Sequence, residues 1–313
     1  MPSGPADRTE GAAAISSSDL RSASQLGRDG RAAGTLWVVA TPIGNLGDLS
    51  PRAADTLRSA AVIAAEDTRR ARTLLAHVGA EGKDLVRLDA NASERDVARL
   101  SERIGAGEDV ALVTDAGTPV VSDPGSALVR AVRAHGGRVV PVAGPSAVTA
   151  ALSASGYEAR GFRFVGFLPR TGKDRAAALG RIASDTDAVV LFESPHRMTE
   201  TLADLARIAP ARRALVAREL TKLHEELLEG ELATLSAEHG TREWLGEITM
   251  VLSPTEARDA APASIEDLDP RIDALLDEGR RTKEIAELLA LESGLGRREI
   301  YERVAARKAS RSG

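Results

Sequence analysis

Short apolar runs of strand length alternate with stretches at helical spacing through the first half of the chain. LWVVAT (Leu36–Thr41) is β-branched and apolar, and the turn-like PIGNLGD closes it. A helical pattern begins at Pro51, with Ser50 placed to cap it and proline at the first helical position. VIAA (Val62–Ala65), a helix over Thr68–His77, LVRL (Leu85–Leu88), a helix near Glu94–Ile104 and DVALVT (Asp109–Thr114) continue the rhythm. After the loop DAGTPVVSDPG, a helix over Ser126–Ala134 leads to RVVPVA (Arg138–Ala143). Strands that alternate with helices in this way predict parallel pairing in an α/β sheet.

The second half has another pattern. FRFVGFL (Phe162–Leu168), AVVLFE (Ala188–Glu193), RALVARE (Arg213–Glu219) and EITMVL (Glu247–Leu252) predict a second sheet of four or five strands, with helices near Arg175–Ala183 and Thr199–Ile208. A boundary near Ser146–Gly156 divides the chain into two α/β domains, residues 34–148 and 149–254. Residues 255–270 are rich in Ala, acid and Pro and read as a linker; residues 271–313 predict a small helical domain. TKEIAELLALESG and GRREIYERVAARK resemble a helix-turn-helix pair, with Gly294–Gly296 in the turn.

Composition sharpens this picture. Hydrophobic residues make up 43% of the 313 but aromatics only 3%, so the cores must be built from Ala, Val, Leu and Ile. Residues 1–33, small and polar with four acidic and four basic side chains, predict a disordered tail and lack the apolar stretch of a secretory signal. The uncharged stretch Val139–Tyr157 is interrupted by Pro141, Gly144, Pro145 and Gly156, so no membrane span is expected. The absence of cysteine excludes a disulfide scaffold, a thiolate nucleophile and Cys-ligated metal, and fits a cytoplasmic protein. The five histidines form no His-x-x-x-His pair, so no metal is expected. A net charge of −5 excludes nucleic-acid binding by bulk charge, yet not a local basic surface: Glu256–Glu278 holds eight acidic and two basic residues, Arg297–Arg311 six basic and two acidic.

Chemistry in open α/β sheets gathers at the carboxyl ends of strands. Three loops there are rich in Gly, Pro and hydroxyls: Thr41–Asn45, Asp115–Pro119 and Gly144–Ala147. Small residues let backbone amides and carbonyls approach a ligand, so three such loops in one domain predict a binding cleft. No strand is followed by G-x-G-x-x-G, and Gly166–Asp174 has the wrong spacing and no Ser/Thr for a phosphate loop. Polar clusters also close strands: Glu66–Arg69, Glu193–Arg197 and Arg218–Glu226. Each reads singly as a capped helix start, and together they supply groups for acid–base work.

VVATPIGNLGDL, AAEDTRR, VTDAGTPVVSDPG, VAGPSAV, FVGFLPR, ESPHR and RELTKLHEE stand in the order found in the tetrapyrrole methylase superfamily. The set most resembles the superfamily's branch that methylates small-subunit ribosomal RNA, over about Leu36–Leu252, with Thr114 where serine is usual. The resemblance implies two α/β domains of the class III methyltransferase type, S-adenosylmethionine in the cleft between them, a homodimer, and 2′-O-methylation of a cytidine in the 16S rRNA decoding centre. It places the donor at Pro42, Asp115, Ala116, Gly117, Thr118, Val121, Ser146, Ala147 and Phe192, and implies no metal. Glu66, Asp67, Arg69, Glu193, His196, Lys222 and His224 are expected to border the acceptor, with Lys222 lowering the hydroxyl pKa or, if neutral, accepting the proton. A small-molecule methyltransferase of this fold and a non-catalytic RNA-binding protein are the alternatives. The C-terminal helices could grip RNA, cover a dimer or solubilise the chain.

Overall fold

The computed structural model describes residues 33–158, 160–255, 268–293 and 296–310. The expected disordered tail up to residue 32, residues 256–267 of the expected linker and residues 294–295 of the expected turn lie outside these residues.

The first five strands, β1 (Thr35–Val39), β2 (Val62–Ala65), β3 (Asp84–Arg87), β4 (Val110–Val113) and β5 (Arg138–Val142), form a wholly parallel sheet in the order β3-β2-β4-β1-β5. Helices α1 (Pro51–Ser59), α2 (Thr68–His77), α3 (Glu94–Gly105) and α4 (Ser126–Ala134) cross between them and cover both faces. Alternation along β1 shows why: Trp37 and Val39 pack with Leu57, Ile63 and Leu74 on one face, while Leu36 packs with Leu100, Ile104 and Leu128 on the other. A sheet buried on both sides needs strands apolar at every position, and β2 and β4 are.

The second sheet has the order β6-β7-β10-β8-β9, from β6 (Phe162–Phe167), β7 (Ala188–Glu193), β8 (Arg213–Arg218), β9 (Glu226–Glu231) and β10 (Ile248–Leu252). Only β6 and β7 run parallel; the last strand enters the centre, antiparallel to β7 and β8, and is buried at all five positions. Helices α6 (Gly172–Ser184), α7 (Pro195–Ile208) and α8 (Leu232–His239) pack on one face through Leu179, Leu202, Leu205 and Leu235. The opposite face is covered by α5 (Ala147–Ala154), whose Val148 and Ala151 meet Val190, Leu215 and Val251. The segment expected to hold a boundary thus holds a helix packed on the second sheet.

One local expectation is corrected. Arg218–Glu226 reads as a helix start, but in the fold it is a turn that leads into β9, an edge strand paired with β8. The alternating burial of β9 is carried by ELLEGE, whose three glutamates hide the strand period in the sequence.

Helices α9 (Asp269–Asp277), α10 (Thr282–Ser293) and α11 (Arg297–Ser310) close a separate small core through Ile272, Ile285, Leu289, Ile300 and Val304. The charge asymmetry seen in the sequence is spent largely inside this unit. Arg303 reaches Asp269 at 2.8 Å and Arg307 reaches Asp273 at 2.9 Å, while Arg297 pairs with Glu287 and Arg298 with Glu302. The acidic helix α9 therefore pairs with Arg303 and Arg307, while α10 and α11 themselves supply the partners of Arg297 and Arg298. Among the described residues, no helix is long and apolar enough to cross a membrane.

Candidate functional site

Strands β4, β1 and β5 are neighbours, so the three small-residue loops that follow them meet at one edge of the first sheet. They are stitched together. Backbone hydrogen bonds join Thr41 and Gly117 in both directions at 2.8 and 3.1 Å. The Thr41 hydroxyl lies 3.2 Å from the Thr114 carbonyl, and the Thr118 hydroxyl donates to the Pro145 carbonyl at 3.2 Å. Gly117 has φ +83°, a left-handed conformation that a larger residue adopts only with strain.

The second domain faces these loops across a cleft of about 360 Å³. Its wall is Phe192 at the end of β7, with Phe164 edge-on at 4.9 Å and Phe167 tilted at 5.7 Å between ring centroids. Gly246–Thr249 complete that side. The domains touch closely at two glycines. A Cβ on Gly44 would lie 2.4 Å from Cγ of Lys222, and one on Gly166 3.2 Å from the Ser122 hydroxyl.

Backbone strain gathers at the same place. The non-glycine residues with positive φ among the described residues are Val120 (76°), Ser122 (64°), Glu219 (53°) and Thr221 (64°). They lie in two loops, one from each domain. For β-branched Val120 and Thr221 this conformation is unfavourable, and such strain persists where the surrounding structure imposes it, typically at functional sites.

Of the nine positions expected to hold a donor, Ala116, Gly117, Thr118, Val121, Ser146, Ala147 and Phe192 line the cleft. Pro42 and Asp115 do not line it; Ile43, next to Pro42, does. Asp115 accepts the Asp67 amide at 3.1 Å and pairs with Arg70 at 3.4 Å. Ser146 starts α5 without a side-chain cap, so the first N–H groups of this helix are available beside the cleft.

The expected acceptor residues divide. Glu193 lines the cleft, yet its carboxylate is buried and engaged by the Thr201 hydroxyl at 2.6 Å, the Ser194 amide at 2.8 Å and Arg197 at 3.6 Å. Glu66 accepts the Thr114 hydroxyl at 3.1 Å. Asp67 caps α2, and hydrogen bonds from the Arg69 side chain and backbone hold its carboxyl well below the usual carboxylate range; Arg69 itself is exposed. His196 and His224 are exposed and do not line the cleft. Lys222 donates to Glu219 at 2.7 Å and Glu247 at 3.1 Å. Burial opposes its charge, but these hydrogen bonds prevail and raise its pKa.

The group that sequence reasoning missed is Asp123, which lines the cleft on the strained loop. Burial first, then the charge of Glu66, push its carboxyl up to about 6; the Thr114 hydroxyl offsets part of this and Asp115 adds to it. Asp123 stands in SDPG, at the end of a motif singled out in the sequence, and its surroundings of other acids arise only in the fold. Phe167 was missed too, although it stands in FVGFLPR.

Gly246 makes a direct test of this joint. It has φ +82°, and a Cβ there would lie 2.4 Å from Oε1 of Glu219, the oxygen that holds both Lys222 and the Glu247 amide. Gly246→Ala is expected to destabilise the protein by roughly 2–3 kcal/mol, read from the urea midpoint, because left-handed strain adds to eviction of Glu219.

Comparison with known proteins matches this geometry to a family. The family description "Tetrapyrrole (Corrin/Porphyrin) Methylases" fits residues 35–236. The chain is 46% identical over 271 residues to ribosomal RNA small subunit methyltransferase I of Xylella fastidiosa (strain Temecula1 / ATCC 700964), covering 86% of this chain and 98% of that protein. Among solved structures it resembles the methyltransferase CobJ, with TM-score 0.56, 22% identity, and 71% of this chain and 95% of that one covered. It also resembles uroporphyrin-III C-methyl transferase from Thermus thermophilus complexed with S-adenosyl homocysteine, with TM-score 0.50, 19% identity, and 70% and 97% covered.

Proposed function

The chain belongs to the tetrapyrrole methylase family, and on that premise we propose that it methylates small-subunit ribosomal RNA with S-adenosylmethionine as donor. The acceptor is the ribose 2′-oxygen of a cytidine in the decoding centre of 16S rRNA, and the enzyme works as a cytoplasmic homodimer. The observation that carries the reading is the close similarity to an rRNA methyltransferase along nearly its whole length, together with a cleft lined by seven of the nine expected donor positions.

The cleft fits such a donor. Backbone groups of Ala116–Thr118 and the open start of α5 are suited to its polar ends, while Ile43, Val121 and Phe192 supply apolar walls for adenine. When bound, S-adenosylmethionine supplies a methyl group already activated on a sulfonium. The protein's share is alignment, exclusion of water and removal of one proton.

Asp123 takes that proton. A ribose hydroxyl is a weak nucleophile, and a carboxylate with a pKa of about 6 is ionised at neutral pH yet more basic than an ordinary one. As the oxygen–methyl bond forms and the sulfur–methyl bond breaks, the hydroxyl proton passes to the Asp123 carboxylate and then to solvent. Lys222, kept protonated by Glu219 and Glu247, is left with the first of its two expected roles, that of lowering the hydroxyl pKa electrostatically. Glu193 holds the end of β7 in place.

The test is to map ribose methylation on 16S rRNA from cells lacking the gene. Loss of one 2′-O-methylcytidine, restored by the intact gene, is the expected result. An unchanged methylation map, with purified protein transferring methyl groups only to a tetrapyrrole, would replace this reading with the small-molecule one.

A further inference from the structure

A second cavity, of about 250 Å³, opens beside the first. Arg163, Val165, Phe167, Leu168 and Pro169 from the segment of β6 and Arg181 from α6 line it. Phe167 also lines the donor cleft, so the two cavities share one aromatic wall. Phe167 is 56% exposed, the most exposed of the four phenylalanines, with Phe162 on the same strand at 45%. Its orientation is built into the strand. The pairing of β6 with β7 shifts register between Phe164 and Gly166, and Gly166 has φ +65°. A bulge at a sheet edge re-aims the side chains that follow it.

The chemistry of the cavity is narrow: an aromatic ring and aliphatic floor, with guanidinium groups at the side. Arg163 pairs through Nε with Asp185 at 2.6 Å, while its Nη2 is buried without a hydrogen-bond partner. Arg181 is exposed on the outer face of α6. The volume is below the ~300 Å³ at which pockets for complete drug-sized ligands begin, so it suits one unit of a longer ligand. A small methyl acceptor would end in the first cleft and need no such continuation; a polynucleotide must leave it.

Resting on the RNA methyltransferase reading, we propose that this cavity is a subsite for a nucleotide flanking the target in single-stranded RNA. Its base stacks on Phe167 and its phosphate meets Arg181, while Arg163, held by Asp185, forms part of the cavity wall. Bases unstacked from RNA are commonly held on aromatic side chains, with basic groups following the backbone.

The test measures binding of small-subunit 16S rRNA to the full-length protein without donor, by filter retention over a salt series, beside calorimetric titration with S-adenosylhomocysteine. Arg181→Ala should weaken RNA binding about fivefold to tenfold at low salt and flatten the slope of log affinity against log salt by roughly 0.7, the loss of one phosphate contact on a single strand. Donor affinity should stay unchanged, because Arg181 touches only the second cavity. Phe167→Ala should weaken RNA binding roughly 5- to 100-fold, the span of one base stack. Unchanged RNA affinity and salt slope in Arg181→Ala would overturn the subsite, as would a Phe167→Ala protein that loses donor affinity alone. In either case wild-type methylation of small-subunit RNA would leave the assigned reaction standing. A wild-type protein that neither binds nor methylates this RNA would overturn both.

Discussion

Asp123→Asn is expected to slow methyl transfer by about 10²- to 10⁴-fold, the usual contribution of a positioned general base, while donor affinity falls less than tenfold. Asparagine keeps the shape and cannot take the proton. The groups facing Asp123 are Glu66, Thr114 and Asp115, the last paired with Arg70. Because the ionised carboxylate is the active form, the wild-type rate should rise with pH through about 6 and then level; the variant should lack this limb.

Stability supplies a second reading of the same group. Its folded pKa lies above its ordinary value of 3.8, so the folded state holds the proton more tightly. The associated stabilisation is complete below that ordinary value and is lost as pH rises through about 6. Asp123→Asn should therefore melt above wild type at pH 7 to 8 and close to it near pH 4. A variant that keeps both the rate and the acidic limb would place the proton acceptor elsewhere.

Glu193→Ala is expected to cost about 3 kcal/mol of stability, measured as a lower urea midpoint at unchanged slope. The buried carboxylate joins the end of β7 to α7 through Thr201, whose hydroxyl also accepts from Arg175 at 3.1 Å; Arg175 in turn donates to Asp204 at 3.0 Å. Deleting the carboxylate leaves the Thr201 hydroxyl and the Ser194 amide without their acceptor inside the protein, and Arg197 without its carboxylate. Glu193→Gln preserves the acceptor oxygen and should lose only about 1 kcal/mol, with methyl transfer near wild type. A well-folded glutamine variant with transfer reduced 100-fold or more would show that the charge serves the chemistry directly.

These two carboxylates show how far a linear reading reaches. Glu193 was visible as an acid at a strand end, and its burial was not, because Thr201 and Arg197 reach it only after α7 forms its first turns. Asp123 lay inside a motif already singled out, yet nothing local marks its basicity. Glu66 follows β2, whereas Thr114 and Asp115 follow β4. They meet because Ala65 and Val113 are partners across parallel strands. Likewise Lys222, Glu219 and Glu247 come together because β10 enters the sheet beside β8, joining segments far apart in the chain.

By itself the sequence determined what short-range physics determines: strand and helix periods, the serine and aspartate caps, the glycine-bearing turns, and the motif order that marks the family. Each depends on residues a few positions apart, within reach of backbone hydrogen bonds and steric limits on φ and ψ. Tertiary structure alone decided that the loops after β4, β1 and β5 form one floor, that Arg303 and Arg307 of the C-terminal basic run are answered by the acidic helix, and that Asp123 sits among other acids. The physical reason is that charge interactions, desolvation and cavity shape depend on distance through space, which strand order sets and local sequence does not.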